Sequence, residues 1–324
     1  MTLSGVLDFA AGQVGGNAKG TSISTRDMTS ATSVIRITAV EDLGGGMRAT
    51  AHFGLDPRHL ANDNNAQTEV MTRTFARDEL FVGLQGGFGN LRLGSPNSIG
   101  LTSFLGGSVL GTGIGSGYAS ATNQMTHVYS QIRYDRSARY DSPNMNGFTV
   151  SALYAPGGDQ ASAPIFIPNA RSVTELGLAY AKGPLSVSFA NISQDAQTNA
   201  IQAATLFGTT GAKTSTNLLN ASYKIGATTL VAGWNDGEAK IAAATPAKTK
   251  GSRVGVRHDI GAVALMAQYT AQKTGVVEAN VMGLRADYAL SKRTAAYVGY
   301  ENYDNGAATN GTRKLASVGV RHSF

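Results

Sequence analysis

The fold is decided by the stretch that opens with Phe88-Gly-Asn-Leu-Arg-Leu-Gly94 and closes with Arg133-Tyr-Asp-Arg-Ser-Ala-Arg-Tyr-Asp-Ser-Pro143. Apolar and polar side chains alternate around Arg92, which is the pattern of a strand with one apolar and one polar face. Between the two segments, residues 95–128 are rich in Gly, Ser and Thr and contain no Asp, Glu, Arg or Lys. A structureless connection of that length is uncommon in a compact protein unless it has a function.

Composition favours strands and turns over helices. The chain has 324 residues with 40 Gly, 8 Pro and no Cys, and 15% of its residues are charged. Abundant Gly, Ser and Thr suit many short strands joined by turns, whereas each Gly inside a helix costs about 1 kcal/mol. The absence of Cys excludes disulfides, thiol nucleophiles and thiolate metal sites.

Charge and hydropathy exclude two further classes. The formal charge is +6, but the basic residues are scattered singly, so no patch for nucleic acid is predicted. No apolar run reaches the roughly 18 residues that a membrane helix needs. A transmembrane β-barrel has no such run either, because lipid-facing and lumen-facing side chains alternate along each strand. The chain begins directly with a strand-like pattern, so we expect that any export signal has been removed from this numbering.

Period-two segments recur along the whole chain, and their connections alternate between long and short. The pattern predicts sixteen strands, eight long loops and seven short turns. Long connections at one end and short ones at the other are typical of an outer-membrane barrel with extracellular loops and periplasmic turns. A soluble β-sandwich would need long connections at both ends. We therefore predict one all-β domain over residues 1–324, a closed 16-stranded antiparallel transmembrane barrel.

Face chemistry supports a lipid-facing exterior and a polar interior. Tyrosines at strand ends are predicted to form belts at the membrane interfaces; these are Tyr140, Tyr154, Tyr180 and Tyr288. Alternation assigns ten arginines to the lumen: Arg36, Arg48, Arg77, Arg92, Arg133, Arg139, Arg253, Arg257, Arg285 and Arg321. It assigns six acids there: Asp8, Glu79, Asp135, Asp141, Glu175 and Asp287. Arginine rings in a pore favour anions.

Several motifs, in this order along the chain, resemble the trimeric general porins of Gram-negative outer membranes, and in particular their anion-preferring branch. They are Glu41-Asp-Leu-Gly-Gly-Gly46, Phe88-Gly-Asn-Leu-Arg-Leu-Gly94, Arg139-Tyr-Asp-Ser-Pro143, Leu290-Ser-Lys-Arg-Thr294 and the ending Val318-Gly-Val-Arg-His-Ser-Phe324. The resemblance spans the whole chain. It implies a sixteen-stranded barrel, assembled as a homotrimer, with the third long loop, residues 95–128, folded into the pore.

The resemblance also implies roles for individual residues. By matched motif, Arg133 aligns with a pore-lining arginine of the family. Arg36 lies on the same predicted face as another, but it is displaced from it by two residues. The terminal Phe324 is similar to the signal that the barrel-assembly machinery recognises. Outer-membrane lipid and lipopolysaccharide are the implied surroundings. The constriction is predicted to contain Arg133, Arg139, Arg36, Arg92, Arg77, Arg48, Glu79 and Asp135.

One departure from the family concerns acidic residues. Family members usually carry acids on the third loop, facing the arginines, but residues 95–134 contain no Asp or Glu. We therefore expect a weaker transverse electric field across the constriction, or a constriction that favours anions, unless acids of the wall oppose the arginines. The candidates for that role are Glu79, Asp135 and Asp141.

The predicted function is passive diffusion of small hydrophilic solutes through an open pore, with anions favoured and with no cofactor, metal or covalent chemistry. The glycine-rich segment at 111–117 lacks the GxGxxG spacing of a nucleotide site, and the five His residues show no metal-ligand spacing. Two alternatives remain: a substrate-specific channel or adhesin, and a barrel enzyme with a Ser, His and acid site. No nucleophile and base are paired by spacing.

Overall fold

The computed structural model describes residues 1–16, 20–24, 33–55, 78–117, 132–157, 172–195, 213–240, 247–304 and 312–324. In that part of the chain, seventeen strands and one short helix are present. The first strands are β1 (Thr2–Gly16), β2 (Gly20–Ser24), β3 (Val34–Gly44), β4 (Met47–Leu55), β5 (Leu80–Gly86) and β6 (Gly89–Ser95). They are followed by helix α1 (Ile99–Gly106), β7 (Ser137–Asp141) and β8 (Phe148–Ala155).

The remaining strands are longer and more regular. They are β9 (Val173–Lys182), β10 (Leu185–Gln194), β11 (Lys213–Ile225), β12 (Thr228–Lys240), β13 (Ala247–Ile260), β14 (Val263–Thr274), β15 (Val277–Ala289), β16 (Thr294–Asp304) and β17 (Thr312–Ser323). Each pairs antiparallel with its sequence neighbour, and β17 pairs with β1. The sheet is therefore closed, as predicted.

Seventeen strands fill sixteen positions of the barrel because the second position is interrupted. Residues Gly20–Ser24 pair with the C-terminal part of β1, Ala10–Val14, and Val34–Thr38 pair with its N-terminal part, Thr2–Val6. The strands β2 and β3 therefore share one position. The C-terminus completes the closure: the backbone N–H of Phe324 donates to the carbonyl of Gly5 at 3.0 Å, and the N–H of Gly5 donates to the carbonyl of Phe324 at 2.9 Å.

Connection lengths sort by end of the barrel, with two exceptions, the first being the three residues 17–19 that separate β1 from β2 at the end of the long connections. The turns at one end are short, such as Gly226-Ala227 between β11 and β12. The opposite end carries the long connections, but β14 and β15 are joined there by Gly275-Val276 alone. The expected loop at that point is thus a two-residue turn, in which the left-handed backbone at Gly275, with φ of 59°, suits glycine.

The outer face is apolar along the strands. Exposed side chains recur at every second position, for example Leu176 and Leu178 on β9 and Val254 and Val256 on β13. Their neighbours in sequence point inward, where Glu175 and Arg253 are buried. An apolar outer band with a polar interior is the arrangement of a barrel that spans a membrane. In the described part of the chain, no helix is long and apolar enough to cross a membrane.

Candidate functional site

The inner wall is lined by arginine. Nine arginines on strands occupy inward-facing positions, opposite in phase to the exposed apolar residues: Arg36, Arg48, Arg92, Arg139, Arg253, Arg257, Arg285, Arg313 and Arg321. Eight of these were expected from alternation, and Arg313 was missed. Arg77, which was also expected there, lies outside the described residues. The lysines behave differently, since seven of the eight on strands face outward: Lys182, Lys213, Lys240, Lys248, Lys250, Lys273 and Lys314.

Asp78 links two of the predicted constriction arginines. Arg36 on β3 donates through Nε to Asp78 at 2.9 Å, and Arg133, just before β7, donates through Nη1 to the other oxygen of Asp78 at 2.9 Å. Arg133 also donates to the side-chain oxygen of Asn97 at 2.8 Å. Asp78 is 9% exposed, so its charge acts on the two guanidinium groups with little screening by solvent.

Asp141 links two further arginines of the predicted constriction, Arg92 and Arg139. Arg92 on β6 forms an ion pair with Asp141, and Arg139 on β7 donates to Asp141 at 2.9 Å. Arg92 also lies 3.8 Å from Glu79. Asn97 joins the two halves, because its N–H donates to Glu79 at 2.8 Å and its carbonyl accepts from Arg139 at 2.7 Å.

These residues form one hydrogen-bonded group on the wall, which we call the arginine cluster. It contains four arginines and three carboxylates: Arg36, Arg92, Arg133, Arg139, Asp78, Glu79 and Asp141. Four positive charges minus three negative charges leave a net charge of +1. The carboxylates fix the guanidinium groups and cancel most of their field, so the cluster is positive but only weakly so.

Two predicted members lie apart from the cluster. Arg48 is exposed at the short-turn end of β4, four residues from His52 along the strand. Asp135 is exposed and borders an apolar hollow of about 540 Å³ on the outer face, together with Arg136. The backbone of Arg136 is left-handed, with φ of 56°, which explains why this residue breaks the strand alternation.

The third connection begins on the inner wall with helix α1. Ser98 caps the helix, since its side-chain oxygen accepts from the N–H of Leu101 at 3.0 Å. The fully buried Glu175 of β9 accepts from the N–H groups of Ile99 and Gly100 at 2.6 and 3.1 Å. A carboxylate at a helix N-terminus is stabilised by these free amides and by the helix dipole. Glu175 is therefore a structural anchor for the loop.

Buried polar contacts hold the middle of the loop. The guanidinium carbon of Arg253 lies 4.0 Å from the ring centre of Phe104, a cation–π contact. Arg253 also donates to Asn220 at 3.0 Å, and Asn220 donates to Ser103 at 3.0 Å. Arg253 is thus occupied beneath the loop, and it does not face the open lumen.

The far part of the loop is fixed to β14–β16. Gln268 accepts from the N–H of Val109 at 3.1 Å and donates to the carbonyl of Ser116 at 3.1 Å. Glu301 on β16, which is 1% exposed, accepts from the N–H of Gly115 at 2.9 Å. Residues 97–117 therefore cross the inner wall from β7 to β16 and occupy part of the enclosed space.

At Gly115 the loop touches the wall so closely that no side chain fits between them. A Cβ at Gly283 would lie 2.3 Å from the carbonyl oxygen of Gly115. We expect Gly283→Ala to push the loop away from the wall at Gly115 and to raise the single-channel conductance while the barrel stays folded. Gly87→Ala is the matched control, because nothing lies within 4 Å of its Cβ position. Equal conductance of Gly283→Ala and wild-type channels would contradict this.

Besides Arg313, three contributors were not predicted from the sequence. Asp78 and Asn97 lie outside the strands, where the period of two does not apply. Glu301 lies on β16, at an inward position of the Val298 to Tyr303 pattern, and alternation alone could have identified it.

Together, the closed sheet, the apolar exterior, the charged lumen and the inward-folded connection define a transmembrane channel of the outer-membrane barrel class. The sequence matches the model of the Gram-negative porin family over residues 1–308, so the chain belongs to that family and is an integral outer-membrane protein.

Relatives and solved structures agree. The chain is 27% identical to outer membrane porin protein 32 of Delftia acidovorans, over 100% of this chain and 94% of the relative. It is 27% identical to major outer membrane protein P.IB of Neisseria lactamica, over 88% and 81% of the two chains. The fold is similar to the solved structure of an anion-selective porin from Comamonas acidovorans, with a TM-score of 0.81, 22% identity and coverage of 100% and 99%.

Proposed function

We propose that this porin is a passive diffusion channel for small hydrophilic solutes and that it prefers anions. The net charge of +1 on the arginine cluster carries the proposal, together with the absence of Asp and Glu from the connection that faces it. A charged lumen with low-dielectric walls concentrates counter-ions. The similar Comamonas protein is an anion-selective porin, which supports the same preference.

The third connection is proposed to constrict the pore, with its constricting part at residues 95–128. From α1 to residue 117, the described contacts of this connection are with β8–β16, across the barrel from β3–β6. Solutes would therefore pass between the loop and the arginine cluster. The share of residues 118–128 in this constriction lies outside the described residues.

Current recordings in planar bilayers test the proposal directly. Purified protein in a potassium chloride gradient is expected to give steps of constant conductance and a reversal potential of the sign that chloride preference dictates. A reversal potential at zero, or one with the sign of potassium preference, would refute anion selectivity. Absence of conductance would refute the channel itself.

Asp78 is expected to moderate the selectivity. Replacing Asp78 by Asn removes one carboxylate and raises the charge of the cluster from +1 to +2, because four arginines then face two carboxylates. One unit charge at close range is worth about 1 kcal/mol even in water. The ratio of chloride to potassium permeability should thus rise several-fold. Asp236→Asn, on the outer face, is the control; equal ratios for both variants would contradict this role.

Two other functions are separated by simple measurements. A substrate-specific channel would show a current that saturates and is blocked competitively by its solute, whereas general diffusion gives a current proportional to concentration. A barrel enzyme would hydrolyse ester or peptide substrates. The family and fold indicate a channel, so general diffusion is the hypothesis to test first, before these two alternatives.

We propose a homotrimer, on the strength of the resemblance and of two apolar hollows on the outer face. One lies on β3–β6 and has a volume of about 540 Å³; the other, of about 750 Å³, lies on β13–β17 and includes Ala11 of β1. A three-fold ring needs two different surfaces on each protomer, and these hollows provide such a pair. Light scattering after size exclusion in detergent should give three times the chain mass of 33.5 kDa.

Lipopolysaccharide and the barrel-assembly machinery are the other proposed partners. Two pairs of outward lysines lie directly opposite each other across strands, Lys213 with Lys240 and Lys250 with Lys273. Like charges in such pairs repel unless an anion lies nearby. Lys213, Lys240 and Lys273 have carboxylate partners in Asp195, Glu238 and Glu278, so Lys250 is the one to which the phosphates of the lipid would supply the anion. For assembly, the exposed Phe324 at the end of β17 is the proposed recognition signal, and Phe324→Ser should slow membrane insertion.

A further inference from the structure

The barrel has a second basic site, at the end that carries the short turns. It is a pocket of about 340 Å³ on the inner side of β13–β17. Its charged lining consists of Arg257, Lys292, Arg293, Arg321, Asp259 and Asp287. The arginine cluster belongs to another part of the wall, β3–β7, and shares no residue with this pocket. We call it the short-turn pocket.

The short-turn pocket has a larger excess of positive charge than the arginine cluster. Arg257 forms an ion pair with Asp259 at 2.8 Å. Asp287 is shared, because Arg321 lies 3.2 Å and Arg285 lies 2.6 Å from its oxygens. The charged lining therefore contains four cations, Arg257, Lys292, Arg293 and Arg321, and two carboxylates, Asp259 and Asp287, which leaves a net charge of +2.

Lys292 and Arg293 form no ion pair within the described part of the chain. Their turn is nevertheless rigid. The side-chain oxygen of Ser291 accepts from the N–H groups of Arg293 and Thr294 at 3.1 and 3.0 Å, and the N–H of Ser323 donates to the carbonyl of Arg293 at 2.8 Å. These two cations are thus held at the edge of the pocket by a fixed backbone. This accounts for the basic residues of the Leu290–Thr294 motif, which the pore constriction leaves unexplained.

We infer that the short-turn pocket binds an oxyanion of the phosphate type as it passes through the channel. A guanidinium group presents several N–H donors in a plane that matches two oxygens of a phosphate. Ser323, at an inward position of β17, also lines the pocket. A net charge of +2 favours a divalent oxyanion over chloride, because the attraction doubles with the charge of the ion. This inference rests on the proposed channel function and adds a ligand class to it.

Phosphate block of the chloride current tests the inference. Single channels are recorded in symmetric potassium chloride at pH 8, where inorganic phosphate is a dianion, and phosphate is then added. The wild-type current is expected to fall as phosphate occupies the pocket. Lys292→Gln combined with Arg293→Gln should raise the half-blocking concentration about tenfold or more, since it removes two charged donors. Lys248→Gln with Lys250→Gln removes two outward charges instead and should leave the block unchanged.

A second pair of substitutions locates the ion. Arg36→Gln with Arg133→Gln alters the arginine cluster, and phosphate block should survive in that variant. Loss of block there, with normal block in the Lys292 and Arg293 variant, would place phosphate at the cluster and overturn the inference. Wild-type channels that conduct chloride without any block by phosphate would overturn it too. Wild-type protein without conductance would instead refute the proposed function.

Discussion

Replacing both Arg36 and Arg133 by glutamate is expected to reverse the ion preference of the channel. The arginine cluster has a net charge of +1, and each Arg→Glu substitution lowers it by two units, so the double variant has a net charge of −3. Arg36 and Arg133 are chosen because both face Asp78, which then has no cation partner among its described contacts. The lumen should then concentrate potassium in place of chloride.

The measurement is the reversal potential in a potassium chloride gradient, which should change sign. Lys248→Glu with Lys250→Glu is the matched control, since it shifts the total charge by the same four units on the outward face of β13. The control should keep the wild-type sign. An unchanged sign in the Arg36 and Arg133 variant would show that selectivity is set elsewhere, and equal shifts in both variants would show that total charge alone matters.

Removing Glu175 and Glu301 together is expected to release the inward-folded connection and to enlarge the open pore. Glu175 accepts from the N–H groups of Ile99 and Gly100, and Glu301 accepts from that of Gly115. Hydrogen bonds to a charged group contribute about 1.5–3 kcal/mol each, so their loss should increase the released fraction by roughly tenfold or more. The strands would still close the barrel, because their ladders do not depend on these side chains.

The double alanine variant should show higher and noisier single-channel conductance than wild type. Glu175→Gln with Glu301→Gln retains side-chain volume and one carbonyl acceptor per residue, so its conductance should lie in between. Glu238→Ala with Glu278→Ala removes two outward acids and should change nothing. Wild-type conductance in the double alanine variant would mean that the apolar contacts of α1 alone hold the loop. Those contacts include Ile99 packed with Leu153 and Ile192.

The barrel could be predicted from the sequence because its signal is local. Alternation on β9 or β13 is visible within ten residues, and it assigns each side chain to the lipid or to the lumen without knowledge of the neighbouring strand. The same reasoning placed Arg36, Arg92 and Arg139 on the inner wall. It could not foresee that two strands, β2 and β3, share the second position of the barrel.

The contacts inside the lumen could not be predicted in the same way. Asn97 joins Glu79, Arg133 and Arg139 only because three separate connections meet at one height of the wall. Helix α1 was missed since its eight residues are almost all apolar or small and show no helical stripe of polar residues. They are buried on several sides within the barrel, so their burial depends on closure of the sheet.

The bond between Gly115 and Glu301 also bears on the order in which the protein matures. The two residues are 186 positions apart, and Glu301 belongs to the penultimate strand. Because contacts of such high sequence separation form late, a nascent barrel would have its first nine strands and Glu175 long before the second attachment point existed. A half-assembled barrel would thus hold the connection by one end only. Restricted permeability would be the last property that the chain acquires. It would indicate that the last strands have paired and that β17 has closed the barrel against β1.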